Sequence, residues 1–233
     1  MMNMWQMYRN ADDNRFTIYD LQFTADGFKQ IVFRFLFIVY CFSLSACASV
    51  DPVIKIGLVG PFEGADRAIG YDVIYSARLA VREINAAGGI DGYRVSLVAL
   101  DDSGDVGLAR ETAVSLTLDP AVVAVVGHWI PETTHAALPV YVDAGLPFIA
   151  AGEGVFGTAV PAQYPAEFRE AYESVTPFNE VPGPYAAPAY DAFQLLREAL
   201  EIAGDNGDLT RNSVAEALRD LEIQGITGAV YQP

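Results

Sequence analysis

The sequence predicts an α/β fold, a doubly wound parallel sheet covered by helices on both faces. Two observations carry this. From Val53 onward, short apolar runs alternate with segments whose apolar residues recur at helical spacing. The short runs are also apolar almost throughout, as in Ala121–Val126 (AVVAVV), where a half-exposed strand would alternate with polar residues.

Each element follows from its own residues. Val53–Val59 (VIKIGLV) is a β-rich run ended by Gly60-Pro61. Val73–Ala87 is helical, with Ile74, Ala77, Val81 and Ile84 on one face and Arg78, Arg82 and Asn85 mostly opposite, and Gly88-Gly89 stops it. Arg94–Leu100 is the second strand, Asp105–Leu118 the second helix, and Ala121–Val126 the third strand. Thr133–Asp143 is the third helix despite Pro139, and Leu146–Ala151 the fourth strand. Beyond Ala151 the pattern changes. Gly152–Pro165 is loop-like, with at most a short strand near Val155–Val160. Helices follow at Ala166–Ser174, Pro184–Ala203 and Thr210–Leu221, and a last strand-like GAVY lies at Gly228–Tyr231. There are no internal repeats and no low-complexity tract.

The amino-terminal region has a different character. Lys29 and Arg34 flank the apolar run Phe35–Cys47 (FLFIVYCFSLSAC), which closes on the small residues Leu44-Ser45-Ala46-Cys47. Positive flank, short apolar core and small residues at the cut are the order of a secretory signal. The run is about a dozen residues, short of the ~20 that span a bilayer, and extending it backward would place Arg34 in hydrocarbon. The closing residues resemble the lipobox of a bacterial lipoprotein, which implies cleavage before Cys47 and a lipid on its sulfur. Residues 29–47 are thus expected to be a lipoprotein signal, and residues 1–28 an extension without a fold of its own. Cys41 leaves with the signal and Cys47 takes the lipid, so no intrachain disulfide is expected.

Charge narrows the function. In residues 1–47 the acids Asp12, Asp13, Asp20 and Asp26 cancel the bases Arg9, Arg15, Lys29 and Arg34, so the net charge of −16 falls on residues 48–233. Such a surface repels nucleic acid and anionic lipid headgroups.

Several blocks in order resemble one family. IKIGLVGPFEG at 54–64, LAVREINAAGGIDG at 79–92 and LVALDDSGD at 97–105 are similar to the amino-terminal lobe of Leu/Ile/Val-type periplasmic binding proteins. VAVVGHWIPETTHAALPVY at 123–141, AGLPFIAA at 144–151 and PGPYAAPAYDAFQLLREAL at 182–200 continue the likeness. The resemblance implies a single Rossmann-like lobe over 53–231, with βαβ units at 53–151 and a return segment at 155–231. It also implies that most of the family's second lobe is missing between about Gly152 and Val155. The implied role is a solute-binding component of an ABC importer for amino acids or related small polar solutes, lipid-anchored outside the cytoplasmic membrane and docking on a permease. Two other readings stay open: a truncated remnant without useful binding, and a lone lobe that serves as an interaction protein or self-associates through apolar surface the missing lobe would have covered.

Ligands of open parallel sheets sit past the carboxyl ends of the strands, where topology switches. That selects the loops Gly60–Gly70, His128–Thr134 and Gly152–Gly154. The candidate ligand-binding residues are Phe62, Ile69, Trp129, Glu132, Thr133, Thr134, Gly152 and Glu153. Backbone N–H groups and threonine hydroxyls opening the third helix suit a carboxylate, although Glu132 and the threonines are also ordinary helix-capping residues. The sequence departs from amino-acid-binding relatives by Pro131 in place of a serine and Gly154 in place of a threonine. Gly152–Gly157 matches G-x-G-x-x-G but follows the fourth strand and opens no helix, so it is not a dinucleotide loop. Asp101–Asp105 reads as a loop in which Asp102 or Asp105 caps the second helix. Tyr185, Tyr190 and Phe193 read as core. His128 and His135 lack a third ligand at zinc spacing, no nucleophile–base constellation is visible, and neither enzyme activity, cofactor nor metal is expected.

Overall fold

The computed structural model describes residues 27–38, 51–151, 156–207 and 209–232. The chain divides into two compact units, 1–50 and 51–233. In the first, residues 27–38 form helix α1, whose side chains are exposed throughout. No described helix is long and apolar enough to cross a membrane.

The second unit is built on β1 (Val53–Gly60), α2 (Arg67–Ala86), β2 (Arg94–Asp101), α3 (Val106–Thr117), β3 (Val122–Gly127), α4 (Pro131–Asp143) and β4 (Phe148–Ala150). A 3-10 turn at Pro161–Gln163, α5 (Ala166–Glu173), α6 (Ala186–Asp205), α7 (Arg211–Leu218), β5 (Ile223–Gln224) and β6 (Val230–Tyr231) complete it. The four long-range strands pair in parallel in the order β2-β1-β3-β4, and β5 pairs antiparallel with β6.

The apolar runs form central strands because both sheet faces are covered. Ile54, Ile56 and Leu58 of β1 pack with Val73, Ala77, Ala80 and Ile84 of α2 and with Phe193, Leu196 and Leu200 of α6. Val59 of β1 and Val125 of β3 turn the other way, onto Ala113 and Leu116 of α3 and Ala137 and Tyr141 of α4. Gly57 is small for a reason: a Cβ there would stand 2.9 Å from Leu116 Cδ1. Successive residues of these strands thus face opposite sides of the sheet, and both sides are buried.

Several elements differ from the sequence expectation. Helix α2 begins at Arg67, because Gly70 lets its first turn pass against Phe62 and the Pro61 carbonyl, where a side chain has no room. Ile69 and Gly70 are therefore helical and the loop shortens to 61–66. Helix α4 starts at Pro131, whose missing N–H costs nothing at the first helical position. Residues 156–160 form no strand; Ala159 N–H bonds the Pro184 carbonyl across to the segment before α6. Strand β5, absent from the reading, exists only as the partner of β6.

Candidate functional site

The parallel register brings the carboxyl ends of the strands to one edge. Gly60 lies opposite Asp101, and Gly127 opposite Ala150. Strand order places β1 beside β3, and the chain leaves them toward opposite faces, β1 to α2 and β3 to α4. A crevice opens at such a switch. Gly127 makes the close approach possible: at φ 136° it adopts a conformation an L side chain resists, and a Cβ would strike the Val59 carbonyl.

Two adjacent acids shape the loops here. Asp101 Oδ1 accepts from the N–H groups of Phe62 (2.7 Å), Glu63 (3.2 Å) and Ser103 (2.9 Å), and Ser103 Oγ donates to Oδ2 at 2.5 Å. Burial pushes the Asp101 carboxyl up, but these donors, Ser103 foremost, outweigh it and hold the group below its usual range. Asp102 is fully buried. Its Oδ1 accepts from Gly104 N–H at 3.0 Å and its Oδ2 lies 2.6 Å from His128 Nδ1, while His128 Nε2 lies 3.1 Å from the Tyr141 hydroxyl. Burial, with the Asp102 charge nearby, pushes the Tyr141 hydroxyl up. Of the two expected capping residues, Asp105 is the one that caps α3, accepting from Leu108 N–H at 2.8 Å. The Asp102–His128–Tyr141 line was not visible in the sequence, because its members are 26 and 13 positions apart.

The predicted residues divide into three groups. Phe62, Ile69 and Trp129 do come together, Trp129 buried and the other two packed partly buried against its cluster. Trp129 covers the end of β1: a Cβ on Gly60 would meet its Cδ1 at 3.0 Å and its Nε1 at 3.6 Å, with Phe62 Cε1 at 3.8 Å. Its Nε1 is buried and has no hydrogen-bond partner among the described residues. Glu132, Thr133 and Thr134 open α4, whose Ncap residue Ile130 supplies no side-chain cap. Glu132 is exposed. The threonine hydroxyls donate backward, Thr133 to the Ile130 carbonyl at 2.9 Å and Thr134 to the His128 carbonyl at 2.7 Å, so only their lone pairs remain for other groups. Gly152, Glu153 and Cys47 lie outside the described residues.

One residue read as core packs against the core and also reaches this edge. Tyr185, just before α6, stands edge-on to Trp129, with ring centroids 6.5 Å apart at 86°. A tyrosine before an apolar helix carries no signal that separates the two roles. The described groups at this edge thus present apolar rings, helix-terminal N–H groups and one unsatisfied indole donor.

Residues 53–165 match the periplasmic binding protein family model. This segment is similar to periplasmic binding protein domains. An amino acid binding protein of Pseudomonas aeruginosa is 38% identical over 109 residues, which cover 47% of this chain and 29% of that protein. The leucine-, isoleucine-, valine-, threonine- and alanine-binding protein of the same organism is 27% identical over 182 residues, 77% of this chain and 46% of that protein. The chain thus spans less than half the length of these curated relatives. The fold is that of type I periplasmic binding proteins. A branched-chain amino acid transporter substrate-binding protein of Streptococcus pneumoniae, solved with isoleucine, superposes with a TM-score of 0.63 at 18% identity, covering 76% of this chain and 90% of that one. A solute-binding protein of Rhodopseudomonas palustris, solved with 3,4-dihydroxybenzoic acid, gives a TM-score of 0.64 at 14% identity, covering 76% and 87%.

Proposed function

We propose that this chain is an extracytoplasmic solute-binding protein of an ABC importer of the branched-chain amino acid type, held at the bacterial membrane by a lipid on Cys47, and that it seats an amino acid or related small carboxylate between the loops after β1 and β3. The observation that carries the reading is Trp129 Nε1, a buried donor without a partner among the described residues, at the switch of the sheet. Leaving such a group unpaired costs about 1–3 kcal/mol, so a solute oxygen that meets it gains accordingly. Phe62, Ile69 and Tyr185 supply apolar contact beside it. Relatives named for branched-chain amino acids, and neighbours solved with isoleucine and with an aromatic acid, support a solute that joins a carboxylate to an apolar body.

The test is thermal unfolding of the chain against L-leucine, L-isoleucine, benzoate and 3,4-dihydroxybenzoate. A solute at 100 times its Kd stabilises the fold by about 2.7 kcal/mol, a rise of a few degrees for a domain of this size. Trp129→Phe keeps the ring and removes the donor, so affinity is expected to fall by about tenfold or more with little change in the free protein's melting temperature. If no compound moves the transition, the chain is a remnant that keeps the fold and not the binding.

A further inference from the structure

We propose that Asp72 is the positioning residue of this site: reaching from α2 to the backbone of the segment before α6, it fixes Tyr185 against Trp129 and so sets the shape of the aromatic wall. The inference rests on the solute-binding reading of this edge of the sheet.

The contact is a clamp with two jaws. Asp72 Oδ1 accepts from Gly183 N–H and Asp72 Oδ2 from Tyr185 N–H, each at 3.1 Å, across 111 and 113 positions of sequence. Residue 183 must be glycine here, since a Cβ would run into the Asp72 carboxylate. One turn along α2, Ser76 Oγ donates to the Ala186 carbonyl at 2.7 Å, and from the other side Tyr164 donates to the Gly183 carbonyl at 2.9 Å.

Helix α6 explains why the clamp is needed. Its Ncap residue is Tyr185, which forms no side-chain cap, and its first turn holds no acid. The Ala186 N–H is met locally by the Gly183 carbonyl at 3.2 Å, while the positive end of the helix dipole has no acid in its own first turn. Asp72 meets the Tyr185 N–H from another helix. It does so at the residue whose ring faces Trp129, so the two functions of the contact are inseparable: capping α6 fixes the main chain at Tyr185, and with it the 6.5 Å edge-on approach of the rings. Without the clamp the 182–185 segment keeps the Ser76 and Tyr164 contacts but loses the bond at the tyrosine itself.

The distinction between positioning and bulk stability can be measured. The sequence has two tryptophans, Trp5 and Trp129, so a Trp5→Phe background makes Trp129 the sole indole reporter. In that background Asp72→Ala and the milder Asp72→Asn are compared with Ser76→Ala, which also loosens the start of α6 but leaves Tyr185 N–H bonded. Acrylamide quenching and the near-UV circular dichroism of Trp129 report the wall directly. Titration with L-leucine and benzoate reports the site. The expected result is increased quenching, loss of the near-UV band and weakened binding of whichever solute binds the parent in both Asp72 variants, with all three unchanged in Ser76→Ala. Unchanged quenching and dichroism in folded Asp72→Asn would overturn the proposal. If neither solute binds even the parent, the functional reading falls, and the quenching comparison still decides the role of Asp72.

Discussion

Asp191 is a buried carboxyl with few donors around it. It sits in α6 at 1% exposure, accepting from Ile226 N–H at 3.0 Å through Oδ1, with the Tyr231 hydroxyl as a further donor beside it. Burial pushes its carboxyl up to about 6, against the pull of Ile226 N–H. A folded pKa above the unfolded one means that the native state holds the proton more tightly. The associated stability is full below the unfolded value of 3.8 and is lost as pH rises through about 6. Ionisation is thus expected to cost the native state about 3 kcal/mol between pH 4 and pH 7. Asp72, also pushed up by burial, acts in the same direction, whereas Asp101 and Asp119, held low by their donors, act in the opposite one. The contribution of Asp191 is therefore read as a difference. In urea unfolding at pH 4, 5.5 and 7, Asp191→Asn should gain relative to the parent as pH rises. A constant offset between the two across that range would refute the assignment.

Among the elements, α7 shows how much can rest on a terminus. Thr210 accepts from Ser213 N–H at 3.2 Å, and Ser213 Oγ accepts from Thr210 N–H at 3.0 Å, a reciprocal cap on a helix of eight residues. The next residue, Arg211, spans to β3, the end of α3 and the loop between them, donating to the carbonyls of Val122, Thr117 and Asp119 at 2.8–3.1 Å. Thr210→Ala is expected to cost about 1 kcal/mol, with chemical denaturation as the measure and the slope unchanged. The cap was legible in the sequence, since Thr210 opens the predicted helix. The same holds for β1 to β4, where continuous apolar runs leave only a doubly covered sheet as a solution. The start of α2 was not legible, because Gly70 reads as a breaker until its close packing on Pro61 and Phe62 is seen. At the site, Phe62 and Trp129 could be placed from the rule that ligands lie beyond the strand ends. Tyr185, Asp72 and the Asp102–His128–Tyr141 line could not, because each depends on contacts between elements that no local periodicity encodes.

At the scale of the whole molecule, charge and attachment oppose each other. The −16 net charge lies on residues 48–233, since the four acids and four bases of residues 1–47 cancel. An anionic bilayer repels such a body within a Debye length of about 8 Å. Helix α1 carries exposed Phe28, Ile31, Phe33, Phe35 and Leu36, yet the described helix is only 27–38, too short to span. In the proposed reading retention at a membrane rests on acyl chains, and a single chain anchors only marginally. The proposed modification of Cys47 therefore makes a sharp prediction for the chain expressed in a bacterium. Palmitate label should appear on the parent and vanish in Cys47→Ser. The labelled protein should stay with membranes through a 0.5 M salt wash, because the force that holds it is hydrophobic and screening only relieves the repulsion. Absence of label on the parent, or release of labelled protein by salt, would show that the chain is held by something other than a lipid on that sulfur.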